Sequence, residues 1–251
     1  MASSELTTIP GSLEHVRIQA LPSSAFYIAE FITIDEERML LEKIETAPKP
    51  RWKQLSKRRL QTWPSDLTNN TLLDSPLPKW LTEPVITRLL TLPITASKPD
   101  HIFSESPHGA PNHVLINEYL PGQGIMPHKD GGAYYPVVCT VSLGSPLCLD
   151  IYGTKDDGSR EAEPKWKILQ EPRSLLITTD QIYADFMHGI ANVTDDVDLG
   201  SSTVANWDLL RTSSNIQNHR SERRTRLSLT YRDVLKVSKL GGTLGSMFGK
   251  R

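Results

Sequence analysis

Cysteine is scarce. The 251 residues hold two, Cys139 and Cys148, which excludes a disulfide framework and a four-cysteine zinc site. Both sit in apolar runs, so buried free thiols are expected. Long apolar runs are also missing. None approaches the roughly 18 residues of a membrane-spanning helix, so no membrane association is expected. Residues 1–11 carry Glu5 and have neither a basic start nor an apolar stretch. They do not read as a secretion signal, and an intracellular protein is expected. An excess of one charge is absent too: 28 Lys and Arg stand against 29 Asp and Glu, leaving −1. Nucleic acid could then be gripped only through a local patch. No internal repeat is visible. The length allows one to two domains at about 150 residues each, and one core is the simpler reading.

Turn formers and short strands are what the chain does have. Eighteen prolines and fifteen glycines imply many loops. Residues 24–33 read as a short strand leading into a helix. Thr33 with Glu36 predicts a capping box for that helix, which ends near Ala47 before Pro48 and Pro50. Residues 51–63 carry five basic residues and no acid, and read as a loop. There Trp52, Lys57, Arg58, Arg59 and Trp63 fit either a solvated loop with packed tryptophans or a backbone-binding, base-stacking surface. Lys57-Arg58-Arg59 is also a weak nuclear signal. A second helix is expected over 79–91, interrupted or started at Pro84, and a loop over 95–112. Strand patterns follow at His113–Leu120, Val137–Leu143, Leu147–Tyr152, Lys165–Leu169, Ser174–Thr178 and Arg226–Arg232. Such a series predicts a sandwich, jelly roll or barrel. Residues 194–225 are polar, without strand pattern, and read as a long functional or disordered loop.

Three sets of residues carry chemistry. His128 and Asp130 follow the turn Pro121-Gly-Gln-Gly124, and His188 precedes Gly189. Two imidazoles and a carboxylate can occupy one face of an Fe(II) ion, leaving three positions open. On an extended segment an H-x-D pair points both side chains one way. In the alternating segment Arg226-Leu-Ser-Leu-Thr-Tyr-Arg232, Arg226, Ser228, Thr230 and Arg232 share a face. Two arginines there suit carboxylates. Their Cα atoms would stand about 20 Å apart at ~3.3 Å per residue, so a single small ligand reaches both only if the strand curves and the side chains lean inward. A solvated strand face would show the same alternation. Asn117 and Tyr119 share a face just before the histidine–aspartate pair and could hydrogen-bond an oxo acid. His15, His101, His108, His113 and His219 suit ordinary polar roles. Arg220, Arg223 and Arg224 read as surface charges open to phosphate.

The ordered set Asn117-Glu-Tyr-Leu-Pro-Gly-Gln-Gly-Ile-Met-Pro-His-Lys-Asp130, His188-Gly189 and Arg226-Leu-Ser-Leu-Thr-Tyr-Arg232 resembles the AlkB family of Fe(II)/2-oxoglutarate dioxygenases. Tyr134-Tyr-Pro, Val141-Ser-Leu-Gly-Ser145, Ala47-Pro-Lys-Pro-Arg-Trp52 and Gln54-Leu-Ser56 add to the likeness, which spans roughly residues 20–240. It implies a mainly β fold with some α: a double-stranded β-helix (jelly roll) core over 113–235, with an N-terminal helical and lid extension over 21–112. Residues 1–20 and 236–251 would be a flexible start and tail. By resemblance His128, Asp130 and His188 hold Fe(II). Arg226 and Arg232 bind 2-oxoglutarate, helped by Asn117, Tyr119 and Ser228. Tyr134 and Tyr135 could line the pocket.

O₂ and 2-oxoglutarate would then be cosubstrates, and RNA or single-stranded DNA bearing an N-alkylated base the substrate, in a monomer of nucleus and cytoplasm. Alternatives are a nucleic-acid-binding protein with little turnover, or a dioxygenase of protein or lipid. Two departures stand out. Base-repair members have Asn at the place of Ser228, and an acid at the place of Gly132 that would pair with a cationic base.

Overall fold

The computed structural model describes residues 9–22, 24–155, 157–216 and 218–239. The chain enters through a 3₁₀ turn at Leu13–Val16 and strand β1 (Ala25–Ile28). Leu13 and Ile18 have no exposed surface. The start expected to be flexible over 1–20 is therefore partly built into the core, and residues 1–8 lie outside the described residues. Helix α1 (Ile34–Glu45) begins on the capping box the sequence predicts, with Thr33 and Glu36 exchanging side-chain and backbone bonds.

Residues 51–63 are not a loop. β2 (Lys53–Leu55) and β3 (Arg58–Trp63) form a hairpin, and β3 pairs with a later core strand. Charge masked the strand signal here, because basic side chains hold places that an alternating apolar pattern would fill. β4 (Thr71–Leu73) pairs in parallel with residues 236–238, so part of the expected tail is structured; 240–251 lie outside the described residues. The helix expected over 79–91 is α2 (Lys79–Leu81), a wide π turn at Thr82–Ile86 and α3 (Thr87–Leu89). Glu83 before Pro84 is extended, as a pre-proline residue prefers. The hairpin of β5 (Pro93–Thr95) and β6 (Lys98–His101) occupies part of the expected 95–112 loop, and Phe103 beyond it is fully buried.

The core strands are β7 (His113–Tyr119), β8 (Ile125–His128), β9 (Val137–Gly144), β10 (Leu147–Tyr152), β11 (Trp166–Gln170), β12 (Leu175–Thr179), β13 (Met187–Ile190) and β16 (Arg226–Arg232). A short helix, α4 (Asp180–Asp185), precedes β13. A seven-stranded antiparallel sheet runs β1-β12-β9-β16-β7-β3-β2, and a four-stranded one runs β11-β10-β13-β8. These are the two sheets of a jelly roll. Neither β8 nor β13 stands out in the sequence: both are four residues long, and β8 contains a proline.

Period-two alternation sorts each strand of the large sheet between two environments. Leu227, Leu229 and Tyr231 of β16, Val114 and Ile116 of β7, and Val141 of β9 join the core under α1 and the 81–92 region. Arg226, Ser228, Asn117, Tyr119 and Thr140 face the space between the sheets.

The polar 194–225 segment is ordered by side-chain clamps rather than by regular structure. Its ends pair as β14 (Asp195–Asp196) and β15 (Ser221–Glu222). Asn206 closes the free edge of β11 by accepting from the Leu169 N–H and donating to its carbonyl, both at 2.9 Å. Arg223 and Asp196 form a buried bidentate pair at 2.8 and 2.6 Å. Arg223 is therefore internal, correcting the expected surface role. The carboxylate of Glu171 accepts from the Tyr27 hydroxyl and the Arg211 and Thr212 amides, tying β1 to this segment.

Candidate active site

Between the sheets lies a cavity of about 130 Å³. His128 ends β8 and His188 sits opposite it on β13 as a cross-strand pair, their rings 4.5 Å apart. Asp130 follows two residues later. One ligand atom from each of His128, Asp130 and His188 lies within 4.8 Å of the others. The three are the only such group among the described residues. With Nδ1 of His128 2.9 Å from the Met126 carbonyl oxygen, an Nδ1–H there donates to it and Nε2 is left as a ligand atom. Burial is the main force lowering His188 to about 4, opposed by Asp130 and aided by His128 and Arg232. The imidazole is thus neutral at physiological pH, the form that binds a metal. Gly124 permits this assembly, since a Cβ there would meet the Ile190 carbonyl oxygen at 2.2 Å.

The arginines of β16 both line the cavity despite their spacing along the strand. Arg232 donates from Nη1 to Asp130 at 2.7 Å, which fixes one carboxylate oxygen. Arg226 donates from Nη2 to Ser142 at 2.8 Å and Gln170 at 2.6 Å, and faces Tyr119 across the ladder. Burial pulls Arg226 down to about 10, so it stays charged at neutral pH. Nε of each arginine is buried without a partner. Among the described residues, Asp130 is the only carboxylate lining a cavity that holds Arg58, Arg226 and Arg232. A two-His, one-carboxylate face next to unmatched guanidiniums fits a divalent iron and a dicarboxylate.

Asn117 and Ser228 are register partners on the cavity side. Tyr119 is buried, which pushes its phenol up against the pull of Arg226 and Arg58. The basic hairpin divides. Arg58 enters the cavity, Lys57 is exposed at the turn, and Arg59 pairs with Glu118 at 2.6 and 2.7 Å while lying over the Trp52 ring. Trp63 packs edge-on against Trp80 with Arg51 over its face. Both tryptophans are half-buried, with an arginine over one ring face each. Tyr134 lies under Arg232, 4.1 Å from its guanidinium, and outside the cavity wall; Tyr135 packs on the helix-side core.

Sequence reasoning missed Ser142, Gln170 and Tyr183. The first two hold Arg226, and Tyr183 lines the cavity and donates to the Gly131 carbonyl. No local pattern marks them, since their partners lie 84, 56 and 52 residues away.

Residues 25–232 match the 2OG-Fe(II) oxygenase superfamily. The chain belongs to that superfamily, as an AlkB-type member. It is 37% identical over 239 residues to a probable RNA/DNA demethylase, ALKBH6, of Danio rerio, covering 93% of this chain and 95% of that one. An uncharacterised protein, L905, of Acanthamoeba polyphaga mimivirus is 30% identical over 218 residues, covering 83% of this chain and 84% of that one. Among solved structures, OsALKBH1 superposes with a TM-score of 0.54 at 15% identity, covering 85% of this chain and 99% of that one. That likeness speaks for the fold. As a member of this family the enzyme uses Fe(II) and 2-oxoglutarate.

Proposed function

We propose that this dioxygenase removes N-methyl groups from bases of RNA or single-stranded DNA. One observation carries the catalytic part: His128, Asp130 and His188 converge beside a cavity whose arginines outnumber its carboxylates. The nucleic-acid part is supported by the likeness to a relative described as a probable RNA/DNA demethylase. The iron would supply activation of O₂ coupled to oxidative decarboxylation of 2-oxoglutarate. In sum, N-methyl base, O₂ and 2-oxoglutarate become demethylated base, formaldehyde, succinate and CO₂.

The residues of this chain divide the remaining work. His128 and His188 offer neutral nitrogens and Asp130 one oxygen, its other oxygen being held by Arg232. Arg226 and Tyr119 receive the distal carboxylate of the oxo acid, with Gln170 and Ser142 fixing the guanidinium. Leu115, Ile151 and Leu176 wall the cavity and exclude water. Position 132 is glycine with open space beside it, so it supplies no acid to pair with a cationic base. A neutral modified base is the better substrate on this ground. We place the enzyme in nucleus and cytoplasm, as a monomer.

Succinate release from 2-oxoglutarate under Fe(II) and O₂, with and without N-methylated single-stranded RNA and DNA, tests the proposal against His128→Ala. Stimulation by one nucleic acid, with formaldehyde formed and both lost in the variant, is expected. Basal release that no nucleic acid stimulates would overturn the substrate assignment and favour a protein or lipid substrate.

A further inference from the structure

The cavity contains an arginine that neither the iron-binding group nor the paired arginines of β16 account for. Leu60 of β3 pairs with Asn117 and Arg59 with Glu118. Arg58 is therefore level with Tyr119, one step beyond the Arg59 pair, and shares the cavity-facing side with Leu60. Arg226 pairs with Tyr119 from the other flank of β7. The register thus brings Arg58 and Arg226 to the two sides of one phenol, at the end of the ladder away from Arg232 and Asp130.

The two neighbours of the hairpin turn differ in how their charge is met. Arg59 has a bidentate carboxylate. Arg58 has none: its side chain makes one hydrogen bond among the described residues, from Nε to Oδ1 of Asn117 at 3.0 Å. Arg226 is likewise held only by the neutral Ser142 and Gln170. Two guanidiniums without a counter-charge at one end of the cavity disfavour an empty site and favour an anion. The Asn117 contact has a second effect. With Oδ1 turned to Arg58, the amide NH₂ is directed away from it. Ser228, the register partner of Asn117, makes no side-chain hydrogen bond to any described residue, so Arg58 alone orients that amide.

We propose that Arg58 is a third co-substrate-binding residue: its guanidinium shares the distal carboxylate of 2-oxoglutarate with Arg226, and its Nε sets the Asn117 amide to donate to that same carboxylate. This rests on the assignment of 2-oxoglutarate to the cavity and names a residue of the β2–β3 hairpin as part of its binding site.

The test is calorimetric titration of the full chain loaded with Mn(II), which does not turn over, with 2-oxoglutarate and with 2-oxopentanoate. The second acid has the same chain length and lacks the distal carboxylate. Arg58→Gln is expected to weaken 2-oxoglutarate at least tenfold, through the loss of a charge-assisted contact, and to leave 2-oxopentanoate within about threefold. Arg58→Lys, which keeps the charge and loses the fork, should fall between. Equal weakening of both acids in both variants would overturn the proposal by making Arg58 a structural residue. Unchanged 2-oxoglutarate affinity would overturn it by leaving the arginine to another anion, such as a substrate phosphate. Wild-type protein that binds 2-oxopentanoate as tightly as 2-oxoglutarate would overturn the distal-carboxylate assignment of Arg226 as well. The co-substrate assignment itself fails only if wild type binds neither acid.

Discussion

At the scale of single residues, the site works by leaving selected groups unmatched. Arg226 is 3% exposed and touches only neutral partners. Such a cation is costly to bury unless a ligand completes it. Arg226→Met is therefore expected to weaken 2-oxoglutarate binding about tenfold to a hundredfold while raising the melting temperature of the ligand-free protein. A fall in both would show that the guanidinium is structural.

A second buried charge lies on the far face of the small sheet. Asp150 is raised to about 6, first by burial and then by Asp196, against the pull of Lys167 and Arg223. A carboxyl whose folded pKa exceeds its unfolded value stabilises the fold below about pH 4, and that contribution disappears as pH rises through 6. Asp150→Asn should then stabilise by about 1–2 kcal/mol at pH 7.5, after allowance for solvent screening, and give no gain near pH 3.5. Urea denaturation at the two pH values measures this; equal effects at both would remove titration as the cause.

At the scale of elements, the histidine-bearing strands are short, and β8 is an edge strand paired on one side only. Their alignment depends on Gly124, where a methyl group would strike the backbone of β13. Gly124→Ala is expected to keep the fold but misalign His128 and His188, cutting Mn(II) affinity at least tenfold. Unaltered Mn(II) binding in calorimetry would mean that β8 shifts without cost. The 194–225 segment depends on a different device. Asn206→Ala leaves the Leu169 N–H and C=O, both buried, without partners, at about 1–3 kcal/mol each. Amide exchange across residues 199–212 should quicken selectively, whereas uniform acceleration over the whole chain would argue for global destabilisation instead.

At the scale of the whole molecule, one large sheet serves two purposes. Its outer face packs on α1 and the 81–92 region, and its inner face holds the arginines, Asn117 and Tyr119 of the cavity, so the apolar core and the reactive cavity share the same strands. The N-terminal approach belongs to this body. Leu13 packs into the helix-side core without exposed surface, so Leu13→Ala should cost about 2–4 kcal/mol in chemical denaturation. A change below about 0.5 kcal/mol would restore the reading of residues 1–20 as a loose leader.

Local order was legible where it is encoded by nearby residues. The capping box of α1, the alternation of Arg226–Arg232, and the order of His128, Asp130 and His188 can all be read along the chain, because each depends on spacing within a few positions or on the chemistry of the residue types. Strand identity failed where local signals were weak: charges occupy β2 and β3, and a proline interrupts β8. The order of the clamps in 194–225 was illegible for another reason, since Asn206, Glu171 and Arg223 act on partners 27 to 41 residues away. By itself, then, the sequence determined the chemistry available: a metal-binding triad, two arginines on one strand face, and an oxo-acid motif. Tertiary structure decided which groups meet. It drew Arg226 and Arg232 onto one cavity, sent Arg58 inward and Arg59 outward, and turned Trp52 and Trp63 to internal contacts. Strand register and sheet curvature set those outcomes, and both arise from packing between distant segments.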